Sequence, residues 1–79
     1  MSVYRIRFEG PAALAVRVAT ELADAEGVDL ISSEPPQIVD GDRVTLDVMV
    51  EAASDAVASA VAGIRDDVPE GASIEIVDG

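Results

Sequence analysis

Seventy-nine residues without a cysteine or a histidine exclude disulfide staples, thiolate zinc sites and imidazole chemistry together. A chain this short reads as one domain over residues 1–79 and buries only about 60% of the surface that its unfolded form exposes, so oligomerisation is the remaining support for the core. Sixteen acidic residues against five arginines, with no lysine, give a formal charge of −11, which in ordinary salt opposes binding to nucleic acid or an anionic membrane.

Residues 3–9 alternate, with Tyr4, Ile6 and Phe8 on one face and Val3, Arg5, Arg7 and Glu9 on the other. That period of two predicts a half-buried strand. Gly10-Pro11 is expected to break it, proline suiting the first turn of a helix. A helix over 11–26 follows from Leu14, Val18 and Leu22 with Ala15 and Ala25 alongside, while Arg17, Glu21 and Asp24 point away. Gly27 is its natural stop. Val28 to Ser33 predicts a second strand, ended by Pro35-Pro36 because proline donates no ladder hydrogen bond. Asp40-Gly41 signals a turn.

The third strand, 43–51, is the clearest: Val44, Leu46, Val48 and Val50 alternate with Arg43, Thr45, Asp47, Met49 and Glu51. A second helix is expected from Ser54 as N-cap, with Asp55 favourable to the helix dipole and Val57, Val61 and Ile64 as the buried stripe. Pro69 to Gly71 form a turn, and 72–78 give a last strand with Ile74 and Ile76 inward. The pattern predicts an α+β fold: a two-layer βαββαβ ferredoxin-like sandwich with an antiparallel sheet in the order 4-1-3-2, both helices lying on one face through right-handed crossovers.

Such a sandwich leaves one sheet face without helices. Arg5, Arg7, Thr45, Asp47, Met49, Ile31, Ser33, Glu75 and Val77 are expected there. Arginines beside carboxylates on adjacent strands form cross-strand pairs. A solvated, ion-paired face is one reading. The other is a homodimer or protein-partner interface, formed by Arg5, Arg7, Ile31, Asp47, Met49 and Val77 with the aliphatic residues as anchors between arginines. A separate candidate is a small-molecule site at Glu9, Gly10 and Pro11, where the amides opening the first helix could receive an anion.

Enzymatic motifs are missing. None of the six serines lies in a Gly-x-Ser-x-Gly elbow, and there is neither a phosphate loop nor a dinucleotide-binding glycine pattern. The pairs Asp40/Asp42 and Asp66/Asp67 lack Ca²⁺-loop spacing. No catalytic residue, cofactor or metal is therefore expected. Sheet-borne nucleic-acid recognition needs exposed aromatics on the central strands, and the only two, Tyr4 and Phe8, point to the core. No apolar run reaches the roughly 20 residues that span a bilayer, and the opening Met-Ser-Val-Tyr-Arg lacks a leader pattern; a cytoplasmic location and no membrane partner are the expectation.

The acidic, lysine-free, alanine- and valine-rich composition resembles that of proteins from salt-loving archaea, where a Debye length of about 3 Å at 1 M salt screens self-repulsion. A GC-rich bacterial genome is the alternative source. In molar salt the charge says little about partners. Residues 11–30, Pro-Ala-Ala-Leu-Ala-Val-Arg-Val-Ala-Thr-Glu-Leu-Ala-Asp-Ala-Glu-Gly-Val-Asp-Leu, resemble the first helix and second strand of ACT domains, with Gly27-Val28-Asp29-Leu30 matching the Gly-(Ile/Val)-x-(Ile/Leu) opening of that strand. The resemblance implies a regulatory module that binds amino acids or similar ligands at a dimer interface, with a ligand loop at Glu9, Gly10 and Pro11. The Asp-x-Pro-Gly loop of that family is not present here. Glu34-Pro35-Pro36 before a valine-rich strand is faintly similar to archaeal elongation factor one-beta, without that family's aromatic-glycine segment. The arginine-asparagine pair of acylphosphatases and the Cys-x-x-Cys of heavy-metal-associated domains are both absent.

Overall fold

Alternation decides which face each long strand buries. The computed structural model describes residues 2–78, with the elements β1 (Ser2–Pro11), α1 (Ala12–Asp24), β2 (Val28–Ser33), β3 (Gln37–Asp40), β4 (Arg43–Ala52), α2 (Ser54–Asp67) and β5 (Ser73–Asp78). In β1 the even-numbered Ile6 and Phe8 are fully buried; in β4 Val44, Leu46, Val48, Val50 and Ala52 are buried likewise. They form one core with Ala15, Val18 and Leu22 of α1 and Val57, Val61 and Ile64 of α2. Residues at i, i+3 or i+4 make the helical stripes that cover this face. Among the described residues no polar or charged side chain is buried.

The fold is α+β: two helices and a five-stranded antiparallel sheet. The element order βαββαβ and the four-strand order 4-1-3-2 need correction, because Gln37–Asp40 forms a strand between β2 and β4. The sheet runs β2-β4-β1-β5, and β3 also pairs with β4. β2 lies along the second half of β4, from Val48 to Ala52, and β3 along the first, from Arg43 to Thr45. They therefore share one edge, with Pro35-Pro36 between them.

Three local expectations change as well. Gly10-Pro11 does not break β1: Gly10 pairs with Val44 and Pro11 with Arg43, and the helix follows at once. A Cβ on Gly10 would lie 2.7 Å from the Ala72 Cβ and 2.9 Å from Phe8 Cζ, so close packing requires glycine there. The N-cap of α2 is Ala53 rather than Ser54, without a side-chain cap; the Ala56 N–H donates instead to the Asp55 carboxylate at 3.0 Å. Finally, β2 slips register between Leu30 and Ser32, so that Ser32 stands opposite Met49, and Ser33, expected on the uncovered face, pairs instead with the buried Val48.

Candidate functional site

The helix-free side of β1 and β4 carries the odd-numbered residues. The register fixes their rows: Val3 faces Glu51, Arg5 faces Met49, Arg7 faces Asp47, Glu9 faces Thr45 and Pro11 faces Arg43. On the other flank β5 sets Glu75 opposite Arg7 and Ser73 opposite Glu9. Four expected interface residues, Arg5, Arg7, Asp47 and Met49, thus form a compact block at the centre of this face.

Two ion pairs lace it. The Arg7 Nε donates to Asp47 Oδ1 at 2.9 Å, with a longer contact of 3.5 Å from Nη2 to Oδ2. Arg43 Nη2 donates to Glu9 Oε1 at 3.2 Å, across the diagonal between adjacent rows. The Arg7 guanidinium has its pKa raised, first by the hydrogen bond to Asp47 and then by that carboxylate's charge; desolvation opposes them, and the charges of Glu75 and Glu9 add smaller contributions. The pair remains open to water, with side-chain exposures of 42% for Arg7 and 25% for Asp47.

Ile31 and Val77 lie on the outer strands, each next to the residue paired with the Arg5–Met49 row, Ser32 on one side and Asp78 on the other. Ile31 is the residue left over where β2 slips against β4, and Val77 the one left over where β5 slips against β1. Both are exposed. Bulges of this kind concentrate on sheet edges and redirect side chains.

The charge on this surface sets it apart. The outward residues of the two central strands include three arginines, Arg5, Arg7 and Arg43, and three carboxylates, Glu9, Asp47 and Glu51. They cancel. The remaining two arginines, Arg17 and Arg65, and thirteen carboxylates carry the whole formal charge of −11. The balance holds for β1 and β4; the flanking strands add Glu75 opposite Arg7, Asp29 opposite Glu51 and Asp40 opposite Arg43.

The other sequence candidates have different surroundings. Gly10 is buried within β1 against Ala72 and Phe8, and Glu9 is held by Arg43. Tyr4 and Phe8 face Val50 and Leu46 on the covered side of the sheet, away from the arginines. Between the helices, Leu14, Arg17, Val18, Glu21, Ile64, Asp67 and Val68 line a cleft of about 10 Å³, close to the room needed for one water. Among the described residues no group of three or more acidic side chains has metal-binding geometry, and no helix is long and apolar enough to cross a membrane. The sequence matches no protein-family model and no curated protein.

Proposed function

We propose that this chain is a non-enzymatic binding module of ferredoxin-like type, elaborated by the edge strand β3, which works as a homodimer through its uncovered sheet face. The observation that carries the reading is the balance of three arginines and three carboxylates on the outward rows of β1 and β4, on a chain of charge −11. The chain as a whole is strongly negative, whereas the outward rows of its two central strands present arginines and carboxylates in equal number. A two-fold interface is self-complementary, and alternating charges let the arginines of one copy meet the carboxylates of the other. Met49, Ile31 and Val77 supply apolar contact between them. Two strands of ten residues and two of six, at about 3.3 Å per residue and a spacing of about 4.8 Å, give a face of roughly 500 Å², at the small end for a specific interface. A cytoplasm rich in salt suits such a pairing, because it screens the charge on the remaining surface.

Sedimentation equilibrium in multimolar KCl, on the native chain and on Met49→Asp, tests this. The native chain is expected to be dimeric and the variant mainly monomeric, with unchanged circular dichroism. A variant that sediments like the native chain places the contact elsewhere.

An ACT-like module sensing an amino acid at Glu9, Gly10 and Pro11 is the alternative. It has less support, because the side of Gly10 where a ligand would approach is filled by Ala72 and Phe8. A melting-temperature screen with amino acids at high salt separates the two readings.

A further inference from the structure

We propose that the edge formed by β2 and β3 docks a second kind of partner: an extended, cationic polypeptide segment in which basic and aliphatic residues alternate. β2 and β3 each pair only with β4 among the described strands, leaving their outer sides open, and every residue from Asp29 to Asp42 is exposed. Aliphatic side chains are nevertheless concentrated here. Leu30, Ile31, Ile38 and Val39 all stand out from the surface, Ile38 at 79% exposure and Val39 at 56%. The pairing of Ile38 with Val44 puts it on the helix side of the sheet, the side on which Val44 is buried. Four large aliphatics are thus exposed within ten residues of one open edge, two on β2 and two on β3.

The charge around this edge selects its occupant. No basic residue occurs between Arg17 and Arg43, while Asp29, Glu34, Asp40 and Asp42 lie on or beside the edge. A second copy placed edge to edge sets these carboxylates against their own equivalents, and nucleic acid or an anionic lipid surface is repelled in the same way. A segment bearing lysine or arginine is attracted. Side chains of an added strand point alternately to the two sheet faces, so a basic-aliphatic alternation meets both the carboxylates and the aliphatics. Strand addition of this kind draws affinity from main-chain hydrogen bonds and selectivity from side chains. Pro35 and Pro36, which lack N–H groups, and the register shifts at Ile31 and Val39 prevent a long flat strand from pairing along the whole edge. They limit the ladder to short stretches, and the side chains then decide which segment binds. This docking leaves Arg5, Arg7, Asp47 and Met49 free and shares only Ile31 with the proposed dimer face.

Synthetic eight-residue peptides test it, at the lowest KCl concentration at which circular dichroism shows the chain folded. One alternates lysine and valine, one lysine and serine, one glutamate and valine. The lysine–valine peptide is expected to bind at least tenfold more tightly than the other two by fluorescence anisotropy, with amide NMR shifts centred on residues 28–40. The charge-preserving variant Ile38→Ser/Val39→Ser should weaken it about tenfold with an unchanged melting curve. Equal binding of the lysine–valine and lysine–serine peptides overturns the proposal, since charge alone then accounts for the attraction. So do shifts centred on the Arg5–Met49 face, and so does full affinity in the serine variant.

Discussion

Arg5 stands directly opposite Met49 on the two central strands, and the outer strands slip register beside this same row. Beyond Met49 the slip leaves Ile31 unpaired, and beyond Arg5 it leaves Val77. A cation and a flexible thioether thus sit mid-face, with an exposed aliphatic left over in the bulge on either side. Replacing Arg5 by glutamate makes the central face more negative by two charges per copy, and so by four across a two-fold contact. We expect Arg5→Glu to weaken self-association at least tenfold at 0.5 M KCl while leaving the circular dichroism spectrum unchanged, as measured by sedimentation velocity over a concentration series.

Arg7 and Asp47 make a more local prediction. The folded chain holds the Arg7 pKa above its ordinary range, principally through the Asp47 hydrogen bond. A cation whose pKa rises on folding contributes its stability at every pH below the unfolded value and loses it only as pH climbs through the folded one. For arginine that loss lies in strong alkali. Urea midpoints of the native chain and of Arg7→Gln should therefore differ by a constant amount between pH 6 and pH 9, and a gap that closes within this window contradicts the assignment.

Close packing at Gly10 gives a third test. A methyl group there meets Ala72 and the Phe8 ring inside van der Waals contact, and overpacking of this type costs about 1–3 kcal/mol. Gly10→Ala should lower stability by that amount, and Ala72→Gly added to it should restore part of the loss. Urea denaturation of the two single variants and the double variant measures the coupling.

Much of this architecture can be read from the chain, for identifiable reasons. β1 and β4 alternate over ten residues each, and the buried stripes of α1 and α2 recur at helical spacing. Those regularities also placed Arg5, Arg7, Asp47 and Met49 together on the outer face. β3 escaped because four residues, Gln37-Ile38-Val39-Asp40, are too few to display a period, and they lie between a proline pair and an Asp-Gly turn that both read as loop. The turn itself is present, with Gly41 at a φ of 52°. The run of β1 through Gly10 and Pro11 was hidden for another reason. Glycine followed by proline usually marks a strand's end, and the contact with Ala72 that demands glycine comes from a residue sixty-two positions away. Register slips at Ile31 and Val77 depend on how neighbouring strands meet, which no local pattern encodes.

The core sets the scale of stability. Leu22 is fully buried in α1, among the residues shared by both helices and the sheet. Leu22→Ala should cost about 2–5 kcal/mol, a large share of the roughly 4–12 kcal/mol available to a domain of this size. Val16, on the same helix, is exposed, and Val16→Ser should change the urea midpoint little. Similar losses in the two variants would mean that α1 presents a different face to the sheet.

Salt should act on folding and association in the same direction. With −11 charges on 79 residues, raising KCl from 0.1 to 2 M shortens the screening length from about 10 Å to below 3 Å. Both the melting temperature and the dimer fraction should rise over that range. A dimer that dissociates as salt is added would be held together by its interfacial ion pairs rather than opposed by the charge outside them.

The Ala12 N–H, the first of α1, donates to the carbonyl of Asp42 at 2.8 Å. Asp42 belongs to the tip joining β3 to β4, so one amide fastens the hairpin end to the root of the helix, and β1 enters that helix with no intervening loop. This bond carries the β1–β4 ladder one step past Pro11 and Arg43 into the first turn of the helix, so the start of α1 is tied to the same strand that holds the β3 edge.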